Sequence, residues 1–208
     1  MSVELYDNPI VSQDYKFLIE HQWNGDAITY TSPAEVRMAF SEGSVRVGVS
    51  GPLLEDSRIP PSPPGQPCDE LWEYDVVEIF FLGEKDKYLE VEFCPHGQHL
   101  VLLLDGTRNM FKDKLPLQFT AVKNSRASRW TGSAIIPLEY FPPGVCKMNA
   151  YAIHGSAESR QYQALYPASK DFPAPDFHRL QFFQDFNFKS LFPRGFVIPE
   201  SPLWKARA

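Results

Sequence analysis

The sequence predicts an all-β protein, a two-sheet antiparallel β-sandwich of about ten strands with one or two short helical turns. Three observations carry that prediction. Apolar and polar residues alternate with a period of two through most of the chain, which is strand spacing rather than helix spacing. Turn-forming Gly, Pro, Asn and Asp clusters separate these runs at intervals of roughly eight to twelve residues. Nineteen prolines in 208 residues is nearly twice the usual share of about 5 per cent. Each costs about 3 kcal/mol inside a helix but is tolerated in turns and at sheet edges.

The elements follow in order. Tyr15, Phe17 and Ile19 alternate with Lys16, Leu18 and Glu20; Val36, Met38 and Phe40 with Arg37 and Ala39; Val45, Val47 and Val49 with Ser44, Arg46 and Gly48. These are half-buried strands. Residues 76–82 are apolar on both faces except at Glu78, so this strand is central and covered on two sides. After a polar turn over 83–87, residues 88–93 resume alternation, with Leu89, Val91 and Phe93 opposite Glu90 and Glu92. That pattern predicts a hairpin whose glutamates face solvent. Further strands are expected over 100–104, 119–123, 130–136, 148–154 and 180–183, with a helical turn near residues 137–141. Residues 51–73, which hold six prolines, and residues 155–176 read as long functional loops. The chain reads as one domain over 1–208. Its Pro-rich extension, 189–208, keeps Phe192, Phe196 and Trp204 and is expected to pack back on the body.

Composition narrows the function. Hydrophobic residues are 43% and charged ones 22%, which suits a folded core and not a disordered chain. A net charge of -6 with no Lys/Arg cluster gives no attraction to nucleic acid or anionic lipid. The longest apolar run, 100–104, is far short of the roughly 20 residues of a membrane span. The N-terminus carries Glu4 and Asp7 where a secretory signal would have basic residues, and no Asn-x-Ser/Thr sequon occurs. Three cysteines without a CxxC suit reduced thiols. A cytoplasmic, monomeric protein is expected.

The most informative stretch is Leu71-Trp72-Glu73-Tyr74-Asp75-Val76-Val77-Glu78-Ile79-Phe80. A Trp stands just outside a strand, and a carboxylate lies inside an apolar run, where an unpaired charge costs several kcal/mol. Glu78 therefore has either an arginine partner, with Arg37, Arg46 and Arg160 as candidates, or a place at a ligand site. Trp72 has a parallel choice. It packs under the Pro-rich loop, or it offers a flat ring to a pyranose, whose C–H faces stack on aromatics while carboxylates and amides read its hydroxyls.

The run WEYDVVEIFF, then YLEVEFCPHG, then SAIIPLEYF, then Tyr166-Pro167, resembles the family 9 carbohydrate-binding modules and their DOMON-like sandwich relatives from about Val36 to Phe183. Within that group it is most similar to a small conserved family of eukaryotic and bacterial proteins to which no activity is assigned. The resemblance implies a sandwich that holds the end of a sugar chain between two aromatic rings. Trp72 matches the first ring and Glu78 the acidic hydroxyl acceptor. Tyr166 falls at the second ring, where the family has Trp, and Gln163 falls at an amide. The family's basic contact has no clear counterpart; Arg160, Arg58 and His99 are the candidates. Such modules often carry structural calcium, for which Asp69, Glu70, Glu73 and Asp75 are the nearest oxygen donors. No other cofactor is implied.

Other chemistry is less well supported. Asp75 and Glu78 leave opposite faces of a strand and cannot flank one glycosidic bond. Cys94-x-His96-x-x-His99 offers soft-metal ligands but sits across a Pro-Gly turn. Asp176-Phe177-His178-Arg179 closes the second long loop, where it either anchors that loop by an ion pair or lines a ligand mouth through His178. The expected activity is thus non-catalytic binding of a saccharide or other polyhydroxylated ligand by Trp72, Glu78, Gln163, Tyr166, Arg160 and His178. Two rivals are a protein-interaction module on the same scaffold and a hydrolase. The hydrolase requires two carboxylates from different strands to converge in a cleft.

Overall fold

The protein, described by a computed structural model over residues 14–29 and 32–205, forms two antiparallel sheets. In chain order the strands are β1 (Tyr15–Ile19), β2 (His21–Gln22), β3 (Ala34–Ser41), β4 (Ser44–Pro52), β5 (Val76–Leu82), β6 (Lys87–Phe93), β7 (His99–Asp105), β8 (Met110–Lys112), β9 (Gln118–Asn124), β10 (Arg129–Pro137), β11 (Lys147–His154), β12 (Gln161–Ala164) and β13 (Gln184–Asp185). One sheet runs β1-β3-β4-β10-β9. The other runs β2-β12-β11-β5-β6-β7-β8, with β13 beside β11. Among the described residues the thirteen strands include nine of the expected ten, residues 180–183 being the exception, and four more, β2, β8, β12 and β13, that are two to four residues long, too short to show a period.

The two sheets pack through the side chains that the alternation puts inward. Val36, Met38, Val45 and Val47 meet Val77, Ile79, Phe81, Leu89 and Val91 in one buried cluster. The larger sheet is also covered on its other face. There Phe80, Tyr88, Leu100, Leu102 and Tyr151 are buried with Leu71 of the first long loop and with Phe177 and Phe183 of the segment that follows the second. Every residue of β5 and β6 is consequently buried. This corrects the expectation for Glu90 and Glu92. They alternate with Leu89, Val91 and Phe93 as a solvated face would, yet they are 3% and 0% exposed because the loops lie over them.

Three local expectations also change. Residues 180–183 are not a strand: Leu180–Phe182 is a 3-10 turn that lays Phe183 against Phe80, centroid to centroid 5.8 Å. The first long loop begins later than predicted, since β4 runs on to Pro52, and it ends in a 3-10 turn at Leu71–Glu73. The second contains β12, which pairs with β11. The helical turn at Leu138–Tyr140 lies where the sequence places it. In the C-terminal extension Phe192 and Trp204 are buried, and Phe196 stacks on Phe192 at 5.1 Å. Among the described residues no helix is long and apolar enough to cross a membrane. The expectation about Glu4 and Asp7 lies outside the described residues.

Candidate binding site on the outer face of the larger sheet

The positions of Trp72 and Glu78 follow from the turn that precedes β5. Glu70 adopts a left-handed conformation (φ 51°), Leu71 is fully buried, and the Tyr74 N–H donates to the Leu71 carbonyl at 2.9 Å. This anchored turn leaves the Trp72 indole 39% exposed at the rim, not sealed under the proline loop. Arg160 holds the turn from outside. Its guanidinium donates to the carbonyls of Trp72 and Glu73, to the latter at 2.9 Å, and lies 5.6 Å from the Tyr162 ring.

Trp72, Glu78 and His178 line one cavity of about 350 Å³, together with Glu90, Tyr162, Phe177, Arg108 and Asp176. That volume is at the lower end of the usual range for small-molecule sites. Glu78 lies on β5 and Glu90 on β6. In the register Glu78 faces Glu92 and Phe80 faces Glu90, so the two cavity carboxyls are diagonal neighbours with Cα atoms on the order of 7 Å apart. The Oε1 of Glu78 and the Oε2 of Glu90 are buried with no hydrogen-bond partner among the described residues.

None of the three candidate arginines takes Glu78. Arg37 pairs with Glu35, Arg46 lines a different cavity, and Arg160 donates to the backbone carbonyls already named. Burial pushes the Glu78 carboxyl up to about 8, against a smaller pull downward from Arg160. Burial, and then the neighbouring Glu78, raise Glu90 well above the ordinary carboxylate range. At neutral pH the cavity therefore presents two largely protonated carboxyl groups.

His178 is set by a relay. The Arg108 N–H donates to the Tyr88 hydroxyl at 3.0 Å, and that hydroxyl lies 2.7 Å from His178 Nδ1. Asp176 braces this corner: it pairs with Arg108 at 2.7 Å and accepts the His178 backbone N–H at 3.0 Å. Burial first, then Arg108, push the imidazole down to about 4. Its Nε2 lies 4.0 Å from Glu90 Oε2. With one group uncharged and the other protonated, this is not an ion pair.

Other predicted residues lie elsewhere. Gln163 pairs with Ala152 on the inner face, and its amide is directed toward His154. Tyr166 packs against the inter-sheet core, its backbone held by Asn149 at 2.9 and 3.0 Å. Neither lines the cavity with Trp72. The aromatic residues that line the cavity with Trp72 are Tyr162, on the outward face of β12, and Phe177. His99 faces the other side, lining a cavity of about 620 Å³ with Arg46, Gln66 and Gln118. Arg58 donates to the Glu73 carbonyl and lies over the Tyr74 ring.

The calcium set does not assemble. Asp69 faces Lys114 at 3.4 Å, Asp75 accepts the Gly155 N–H at 2.8 Å, and Glu70 and Glu73 are exposed. Among the described residues no group of three or more His, Cys, Asp or Glu is arranged to hold a metal ion. Cys94 and His96 likewise form no such site, and burial pushes the Cys94 thiol up to about 12, far from a nucleophile's range.

Curated proteins of similar sequence identify the family. The human UPF0462 protein C4orf33 is 45% identical over 193 residues, covering 90% of this chain and 96% of its own length. The zebrafish and mouse homologues are 46% and 48% identical over the same 90% of this chain, covering 96% and 99% of their own lengths. The chain belongs to the UPF0462 family. No family model matches it. Among solved structures, a candidate carbohydrate-binding protein of Bacteroides uniformis matches this UPF0462 chain with a TM-score of 0.63 at 15% identity, over 82% of this chain and 84% of its own. At that identity the likeness is of fold. A family 9 carbohydrate binding module of Caldicellulosiruptor kristjanssonii, solved with glucose, aligns at a TM-score of 0.46 and 14% identity over 83% of this chain and 80% of its own, too loosely to carry weight.

Proposed function

We propose that this UPF0462 chain is a non-catalytic binding module for a saccharide or other polyhydroxylated ligand, taken up in the cavity between Trp72 and the buried carboxyls Glu78 and Glu90. The observation that carries this reading is their juxtaposition. An exposed Trp stands at the rim, and the same cavity is lined by two carboxyl groups, each with a buried oxygen that meets no donor among the described residues. A pyranose has an apolar face for the first and hydroxyls for the second. The sandwich it shares with the Bacteroides uniformis protein supports the scaffold, not the ligand.

Two carboxyls from different strands do converge, as a hydrolase needs, but their protonation favours binding. A glycosidase of the usual kind pairs a proton donor with an ionised carboxylate, and at neutral pH neither Glu78 nor Glu90 is readily ionised. Trp72→Ala tests the proposal. On a glycan array and in titration, wild type is expected to bind a subset of saccharides with roughly micromolar to millimolar affinity. The variant is expected to lose about tenfold or more, the order of one base- or sugar-ring stack. Equal binding by both proteins would place the ligand elsewhere.

A further inference from the structure

We infer that the preferred ligand is an amino sugar, a saccharide whose protonated amine is received between Glu78 and Glu90. The inference rests on the saccharide reading of the cavity and adds to it the charge of the guest. A neutral sugar accounts for an aromatic rim and one polar edge. It does not account for two buried carboxyl groups on neighbouring strands, each with an oxygen that no protein donor reaches. One ammonium between them supplies three N–H donors, and its charge stabilises the carboxylate that forms when one of the two acids gives up its proton.

The charges around the cavity leave that place open. Arg108 and Asp176 neutralise one another at 2.7 Å. Arg160, from the segment before β12, faces the backbone carbonyls of Trp72 and Glu73. From β6, Glu92 adds a third carboxyl opposite Glu78, and from β11 Tyr151 contributes an uncharged phenol. Tyr88 and His178 are neutral at neutral pH. No cation of the protein is thus paired with either cavity carboxyl among the described residues. The walls add to the fit: Trp72, Tyr162 and Phe177 border the same space, and aromatic rings attract ammonium groups.

The arrangement has a thermodynamic signature. Glu78 and Glu90 hold their protons in the free protein, so an arriving ammonium displaces one, and the O–H bond of the carboxylic acid is broken as the ion pair forms. The proton leaves to buffer. Binding of the amine form is therefore coupled to proton release, and binding of a neutral sugar is not.

Three β-1,4-linked disaccharides separate the possibilities: that of glucosamine, its N-acetylated counterpart and cellobiose. Each is titrated calorimetrically at pH 6 in buffers of different ionisation enthalpy, with the full chain. The glucosamine disaccharide is expected to bind about tenfold or more tighter than the other two, as a charge-assisted pair implies, and to release close to one proton. Glu78→Gln and Glu90→Gln, nearly isosteric with the protonated acids, should keep the native melting profile, remove the proton release and level the three affinities. Equal affinities in wild type, absence of proton release, or a preference unchanged in both variants would overturn the amine inference while the saccharide reading stands. Failure of all three sugars to bind would remove the saccharide reading, and the inference with it.

Discussion

Glu92 lies on the same face of β6 as Glu90, directly across from Glu78, and neither of its carboxyl oxygens meets a donor among the described residues. Burial first, then Glu78 and Glu90, raise it well above the ordinary carboxylate range. A group whose pKa is raised on folding binds a proton in the native state that the unfolded chain releases. Its favourable contribution is complete below the unfolded value near 4.5 and is lost as pH climbs through the folded value, which for Glu78 is about 8. Stability is therefore expected to fall between pH 5 and pH 9. Glu92→Gln should leave it nearly unchanged at pH 5 and raise it at pH 9, because the amide cannot ionise where the buried carboxyl is forced to. Thermal melts at the two pH values check this; parallel profiles for variant and wild type would show that Glu92 titrates normally. Of these carboxyls the sequence exposes only Glu78, because its neighbours on both sides are apolar. Glu90 and Glu92 alternate with aliphatic residues, which is also how a strand with one wet face is written.

The hairpin of β5 and β6 turns through Glu84–Asp86, and Gly83 opens that turn against the segment before β11. A Cβ on Gly83 would stand 2.2 Å from the Pro143 carbonyl oxygen, a backbone atom that cannot swing away. Gly83→Ala is expected to cost about 1 to 3 kcal/mol or more, as overpacking does. A fall in the denaturant midpoint with little change in slope would show it; an unchanged midpoint would mean the turn yields. The longer strands are legible because one face of each meets the core and carries a period of two, as in Val45, Val47 and Val49. Leu180-Gln181-Phe182-Phe183 misleads for a related reason: so short an apolar run fits a strand and a 3-10 turn equally. Gln161–Ala164 hides its strand because the residues on its inward face, Gln161 and Gln163, are both polar.

Over the whole molecule, the C-terminal extension packs back on the body through Phe192 and Trp204. Trp204, in the short helix α1 (Pro202–Lys205), is buried. It packs edge-on to Phe111 at 5.1 Å, and its Nε1 donates to the Tyr140 carbonyl at 3.2 Å. Trp204→Ala is expected to cost about 3 to 5 kcal/mol, read by chemical denaturation, without altering saccharide selectivity, because none of its neighbours lines the cavity of Glu78. A selectivity change in a folded variant would contradict that separation. The sequence by itself determined the class of fold and most strand positions, and it singled out Trp72 and Glu78, since alternation, turn residues and a lone acid in an apolar run are all local. Only the tertiary structure decided that Glu90 joins Glu78, that Tyr162 and Phe177 rather than Tyr166 and Gln163 complete the walls, and that His178 meets them. Those assignments depend on which face of a strand a distant loop covers, and chain segments separated by dozens of residues leave no mark on each other's local pattern.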